Sequence, residues 1–174
     1  MLEHSRTSTG KRTPTDLNQL VDEYLRLAYH GLRAKDKMFN ATLRPDFDPA
    51  LPPLVVLPQD LIRVLINLFT NALQQRLQQR LQQWPDPAYR PEVTTTTQAV
   101  PNAVVIRIRD NGIGMSAQVR AKIFQPFSTT KAAGQGTGLG LSLSYDIVTT
   151  GHGGTISCKS EEGTGTEFII TLPL

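Results

Sequence analysis

The chain has 174 residues and a mass of 19.2 kDa, with 39% apolar and 19% charged residues, enough for one domain to bury a core without covalent staples. Its net charge of +3 comes without a dense Lys/Arg stripe interleaved with aromatics, which argues against nucleic acid, and the single Cys158 excludes a disulfide framework and suits a reducing compartment. No apolar run approaches the roughly 20 residues that cross a bilayer, and the opening MLEHSRTSTGKRTPT lacks the hydrophobic stretch of a signal peptide, so a soluble cytosolic module is expected. The 13 glycines are unevenly spread, most of them lying after Asn111.

Residues 1–15 are polar and basic and read as a frayed lead-in. From Asp16 a helical period places Leu17, Leu20, Val21, Tyr24 and Ala28 on one face, with His30 at the helix end, where a cation suits the dipole. Phe39, Ala41 and Leu43 alternate like a strand, and residues 54–57 form a short buried run. A long helix is expected from about residues 58–60 to Trp84, where Pro85 stops it. Its end, LQQRLQQRLQQW, keeps Leu73, Leu77 and Leu81 on one face, as on a surface helix with a leucine seam.

Two strands, residues 93–100 and 103–110, flank a turn at Pro101 and Asn102. A short helix over 117–123, a Gly- and Ser/Thr-rich stretch over 125–136 and a helix over 137–150 follow. Strands 155–160 and 166–172 close the chain. This order of helix, strands, helix, strands, helix and hairpin packs most simply as helices on one face of a mixed or antiparallel sheet.

Three groups carry chemistry. In strand 103–110, period two places Asp110 on the face of Val104, Ile106 and Ile108, and a carboxylate aimed into a core needs donors. The glycines of Asn111-Gly112-Ile113-Gly114 would let a ligand or a second backbone approach closely; the segment reads equally as a strand-end turn with an Asx cap. On the long helix, Asn67, Asn71 and Gln74 share one stripe beside the apolar face of Leu61, Leu65, Leu68 and Ala72. Their amide oxygens suit Mg²⁺, although a solvated face is the commoner use of such a stripe. The run Gly134-Gln-Gly-Thr-Gly-Leu-Gly140 precedes a helix and could turn backbone N–H groups towards a phosphate, or serve as a flexible linker. Lys131 adds a cation three residues upstream.

Together these segments resemble the ATP-binding catalytic domain of sensor histidine kinases, in the superfamily shared with gyrase, Hsp90 and MutL. The resemblance runs in order from about Asp16 to Leu174. Asn67-Leu-Phe-Thr-Asn71-Ala72 is similar to the N box, Asp110-Asn-Gly-Ile-Gly114-Met115 to the first glycine box, and Ile123-Phe-Gln-Pro-Phe127 to the F box. Gly136-Thr-Gly-Leu-Gly140-Leu-Ser142 is similar to the second glycine box, while His152-Gly-Gly154 and Gly163-Thr-Gly-Thr166-Glu-Phe168 match the closing strands. The implied fold is α+β: a two-layer α/β sandwich of the Bergerat type, with helices on one face of a mixed sheet.

The resemblance also implies roles. Asp110 would accept from the adenine amino group, assisted by Thr166. Gly112 and Gly114 would leave room for the purine, with Ile113 and Met115 near its ring. Asn71 would ligate Mg²⁺, supported by Asn67. Residues 125–136 would form an ATP lid pinned by Phe124 and Phe127, and Lys131 would touch the γ-phosphate. Gly136, Thr137, Gly138, Leu139 and Gly140 would surround the phosphate tail. Gln74 stands where the family often has a phosphate-contacting Lys, which bears on phosphate affinity, and Arg76 lies on a different face.

Hydrolytic branches of the superfamily place a Glu four residues before the metal-binding Asn, where it can take a proton from water. Here that position is Asn67, which favours transfer to histidine over hydrolysis. None of His4, His30 and His152 sits in an acceptor-like motif, and His152 is most simply structural. Residues 1–13 therefore read as the tail of a dimerisation helix and 14–174 as the catalytic domain. It would bind Mg-ATP and phosphorylate a histidine on a separate dimerisation domain, with a response regulator downstream and no nucleic-acid or membrane contact of its own. It would be cytoplasmic, either free or as the cytoplasmic part of a membrane-anchored sensor. The alternatives are a gyrase-, MutL- or Hsp90-like ATP hydrolase and a nucleotide-binding pseudokinase.

Overall fold

The computed structural model describes residues 11–125 and 140–174. Strand β1 (Thr13–Thr15) pairs antiparallel with β3 (Leu54–Val56), so these three residues of the expected lead-in are ordered by a partner distant in sequence. Helix α1 (Leu17–Lys35) begins at Asp16, whose carboxylate accepts from the Gln19 N–H at 3.2 Å. It buries Leu17, Val21, Leu25 and Leu32 and runs past His30, with Arg33 and Lys35 in the last turn. The cations that meet the helix dipole are therefore these two rather than His30.

Strand β2 (Thr42–Asp46) starts after Phe39, which is buried but lies outside the strand, contrary to the expected alternation from residue 39. Helix α2 (Pro58–Thr70) starts with Pro58 and carries Asp60 in its first turn, both suited to a helix N-terminus. The long helix is not α-helical throughout. Residues Asn71–Gln78 are wound as a π-helix before α3 (Gln79–Gln83), and the chain leaves the helix at Trp84. Leu73 and Leu77 are fully buried there, while Leu81 is exposed, so the leucine seam feeds the core at its start and reaches the surface only at its end.

Strands β4 (Glu92–Val100) and β5 (Ala103–Asp110) form the expected hairpin, with Asn102 at a φ of 68° in the turn. A short α4 (Ala117–Ala121) is capped by Ser116, which accepts from the Val119 N–H at 3.1 Å. Helix α5 (Gly140–Asp146) continues into a π-helical turn, Ile147–Gly151, and β6 (Thr155–Glu161) and β7 (Gly165–Pro173) close the chain.

The five-stranded sheet runs β2-β4-β5-β7-β6, with β2 parallel to β4 and every other pair antiparallel. Val104, Ile106 and Ile108 of β5 and Phe168, Ile170 and Leu172 of β7 face the core. They pack with the buried faces of α1 and α2, while Arg109 points to the open side. A fully buried side chain of this kind contributes about 1.5–3 kcal/mol. The result is the expected α+β arrangement of helices on one face of a mixed sheet. Among the described residues no helix is long and apolar enough to cross a membrane.

His152 ties the start of α2 to the turn that follows α5. Its Nε2 accepts from the Leu57 N–H at 3.1 Å and its Nδ1 lies 2.9 Å from the Ile147 carbonyl, which fixes the neutral ring with the proton on Nδ1.

Candidate nucleotide site

The site lies where the C-terminal end of β5 meets the long helix. Register pairs Asp110 with Val93 on one side and Thr166 on the other, and period two turns Asp110 and Thr166 inward, both almost fully buried. The carboxylate finds its donors within the protein. Oδ2 accepts from Arg76 Nε at 2.6 Å and Oδ1 from the Gly112 N–H at 2.9 Å. The two side chains are 6% and 1% exposed, so this is a buried ion pair. The Arg76 guanidinium lies 5.4 Å from the centre of the Phe168 ring.

The π-helical winding brings Arg76 to this place. Widening the turn frees carbonyls from the regular ladder, and the Arg76 carbonyl accepts from the Ile113 N–H at 3.2 Å. The segment after Asp110 is bound on both sides. Gly163 donates to the Ile113 carbonyl at 2.7 Å, and Met115 N–H donates to Ser160 Oγ at 2.7 Å. Asn111 accepts from Glu92 N–H at 2.8 Å through its side chain and donates to the Arg90 carbonyl at 2.8 Å.

These contacts give the glycines a reason within the protein. A Cβ on Gly112 would stand 2.5 Å from the Arg76 carbonyl carbon. One on Gly114, whose φ is +73°, would stand 2.1 Å from the Glu161 carbonyl oxygen. Close backbone contact asks for glycine at both positions. Gly112→Ala should push the strap off the π-helical segment and lower stability by about 1–3 kcal/mol, read from denaturant midpoints. A change below about 0.5 kcal/mol would show that the contact yields freely.

Thr166 Oγ1 is 2.8 Å from Ser160 Oγ, and Ser160 donates to the Gly165 carbonyl at 3.1 Å. With its one proton so used, Ser160 accepts from Thr166, whose oxygen keeps lone pairs for another donor. Cys158 shares this face of β6, where burial pushes its thiol up to about 11 and keeps it neutral.

The two asparagines play different parts. Asn67 sits against the start of α5: a Cβ on Gly140 would be 2.4 Å from Asn67 Oδ1, and Asn67 Nδ2 donates to Ser144 Oγ at 3.4 Å. Asn71, one turn on, is half-buried and, like Gln74, has no side-chain hydrogen bond among the described residues. Gln74 is half-buried and Arg76 buried. Ile113 and Met115 are half-buried on the strap, and Met115 packs against the core.

A match to the family model of histidine kinase-, DNA gyrase B-, and HSP90-like ATPases spans residues 57–174. The chain belongs to this ATPase family. Sporulation kinase E of Bacillus subtilis is 35% identical over 155 aligned residues, covering 88% of this chain and 19% of the relative. Signal transduction histidine-protein kinase AtoS of Escherichia coli is 35% identical, covering 100% of this chain and 26% of the relative. The chain thus spans about a quarter or less of these curated relatives, by the coverages of 19% and 26%. The nucleotide-free catalytic domain of histidine kinase ThkA superposes with a TM-score of 0.74 at 27% identity, over 94% of this chain and 96% of that one.

Against this family, the fold sets Asn67 of α2 on Gly140 and Ser144 of α5, and sets Asp110 beside Thr166 and Arg76, with Gly112 on Arg76 and Gly114 on Glu161. Asn71 lies one helical turn after Asn67, and Ile113 and Met115 follow on the segment after Asp110. Phe127, Lys131, Gly136, Thr137, Gly138 and Leu139 lie outside the described residues. Phe124, just before them, rests its ring 5.4 Å from Tyr145 of α5 and 6.2 Å from Phe168.

ATP fits what is present in two respects. A carboxylate has about four lone-pair sites, and Asp110 uses two, leaving acceptor capacity for an amino group. The Asn71 amide oxygen, without a hydrogen bond among the described residues, is a hard neutral ligand suited to Mg²⁺. Among the described residues no three His, Cys, Asp or Glu side chains form a metal-holding group.

Sequence reasoning missed three contributors. Arg76 was passed over because an α-helical count does not show where a π-helix points it. Ser160 was findable, since it shares alternate positions with the buried Ile156. Tyr89 gave no signal: its hydroxyl donates to the Asn111 carbonyl at 2.8 Å, beneath the Arg80 guanidinium 4.2 Å from its ring centre. Burial raises the Tyr89 phenol to about 12, so the folded state favours the neutral form. Its contribution is complete below pH 10, the ordinary value, and is lost as pH rises towards about 12. Unfolding measured from pH 9 to 12 should therefore steepen in this window for the wild type relative to Tyr89→Phe; parallel curves would contradict the burial argument.

Proposed function

We propose that the chain binds Mg-ATP and passes its γ-phosphate to a histidine on a separate dimerisation domain, as the catalytic part of a two-component sensor kinase with a response regulator downstream. On this reading residues 1–13 lead from the dimerisation helix, residues 14–174 form the kinase domain, and both lie on the cytoplasmic side. One observation carries the choice of transfer over hydrolysis. The position a general base would hold is Asn67, whose amide cannot take a proton and is already packed against Gly140 and Ser144.

Each residue then has a task. Asp110 accepts from the amino group of the base, with Thr166 at its side. Asn71 offers its amide oxygen to the cation, and Asn67 holds the start of α5 beside it. Lys131 reaches the terminal phosphate, and residues 136–140 wrap the phosphate tail. Bound Mg-ATP supplies the phosphoryl group and the cation that offsets its charge. The chain's contribution is positioning and charge complementarity, while a neutral imidazole brings its own lone pair.

The test is to incubate the chain with labelled ATP and a separate cognate dimerisation domain. Acid-labile, base-stable phosphate on that domain is the expected result. Free phosphate without transfer would point to a hydrolase, and nucleotide binding with neither activity to a pseudokinase. Asn71→Ala should reduce transfer on the order of a hundred-fold or more. Because Asn71 makes no side-chain hydrogen bond among the described residues, the melting temperature should barely move. Near-normal transfer by this variant would remove Asn71 from the metal site.

A further inference from the structure

The ion pair beside the site is only half made. The Nε–H and one Nη2–H of a guanidinium lie along one edge and usually meet both oxygens of a carboxylate. In Arg76 only Nε is met. Asp110 has turned its Oδ1 to the Gly112 N–H, and Arg76 Nη2 is buried with no hydrogen-bond partner. Since Nε points at Asp110 from 2.6 Å, the unmet Nη2–H points alongside it, next to the carboxylate. A buried charged donor without an acceptor is costly and asks for an explanation. The pair thus presents a donor and an acceptor side by side. That pattern matches a heterocycle in which an amino group adjoins a ring nitrogen, as in a 6-aminopurine.

We propose that Arg76 is a base-reading residue of the nucleotide site: while Asp110 accepts from the exocyclic amino group, Arg76 Nη2 donates to a ring nitrogen beside it. The inference rests on the nucleotide-binding reading above. It adds a direct, charge-assisted contact from the π-helical segment of the long helix, and it explains why that segment is unwound at Arg76. A 6-oxopurine in the same pose would set a carbonyl where Asp110 requires a donor.

Calorimetric titration of the full chain with ADP, 1-deaza-ADP and 7-deaza-ADP tests this, since the two analogues remove the ring nitrogens on either side of the amino group. One analogue should bind on the order of ten- to a hundred-fold more weakly than ADP. Arg76→Lys keeps the positive charge at Asp110 but has no planar fork. It should bind ADP more weakly by a similar factor and lose the discrimination. If both analogues bind the wild-type chain within about two-fold of ADP, the inference fails while nucleotide binding stands. Tighter ADP binding by Arg76→Lys would also overturn it, by showing that Arg76 competes with the base for Asp110. No ADP binding by the wild type would overturn both readings. The wild-type comparison decides the matter even if the variant does not fold.

Discussion

Asp110→Asn should cost the fold about 3 kcal/mol before any nucleotide is considered. The substitution keeps the shape of the side chain and an oxygen that can accept from Arg76, but it removes the negative charge. A guanidinium 6% exposed then has no counter-charge. Breaking a buried pair in this way typically costs about 3–5 kcal/mol, and the retained acceptor puts this case at the lower end. For a domain of this size the midpoint of thermal unfolding should fall by on the order of 10 °C. Arg76→Met should cost a similar amount, since it strands the carboxylate. The double variant removes both charges together, so it should lose far less than the two single losses added. If the losses simply add, the pair is not coupled and the electrostatic account is wrong. The cycle also bears on interpretation: weak nucleotide binding by Asp110→Asn speaks of base recognition only after its lost stability has been measured.

Phe168→Ala is expected to cost about 3–5 kcal/mol, the usual range for emptying a fully buried ring. Phe168 is 0% exposed, faces Ile108 across the β5–β7 ladder and lies edge-on to Phe124. It is also the surface on which the Arg76 guanidinium rests. The cavity therefore opens under the core, the ion pair and Phe124 together. Phe168→Leu, which keeps most of the volume, should cost less than about 1.5 kcal/mol. Denaturant unfolding of both variants checks the pair of values, and an alanine loss below about 1 kcal/mol would show that the neighbours collapse into the space.

Much of this was legible because it rests on short-range chemistry. Period two assigned Asp110 to the buried face of β5, and the Asp16 cap and Pro58 set the starts of two helices. The spacing of Asn67 and Asn71 put both amides on one stripe. Other features depend on contacts that no local pattern encodes. Strand β1 exists because Thr13–Thr15 find Leu54–Val56, some forty residues away by the register. The π-helical winding of Asn71–Gln78 meets the glycine strap where the Ile113 N–H donates to the Arg76 carbonyl, so counting 3.6 residues per turn could not show where Arg76 points. The same long-range packing decides which backbone approaches Gly112 and Gly114: the sequence alone offered a ligand or a second backbone, and the fold presses them against Arg76 and Glu161.

The sheet order has a consequence for how the site comes apart. Asp110 and Thr166 lie on β5 and β7, which have a strand on each side, whereas β2 and β6 are the margins. Marginal strands open at small free-energy cost, and interior ones only near global unfolding. The end of the site that would receive the base is therefore among the last parts to open. Among the described residues Asn67 ties α5 to α2 through a 3.4 Å hydrogen bond to Ser144 and close packing at Gly140. Amide hydrogen exchange should therefore find the strand floor around Asp110 and Thr166 among the slowest positions of the chain.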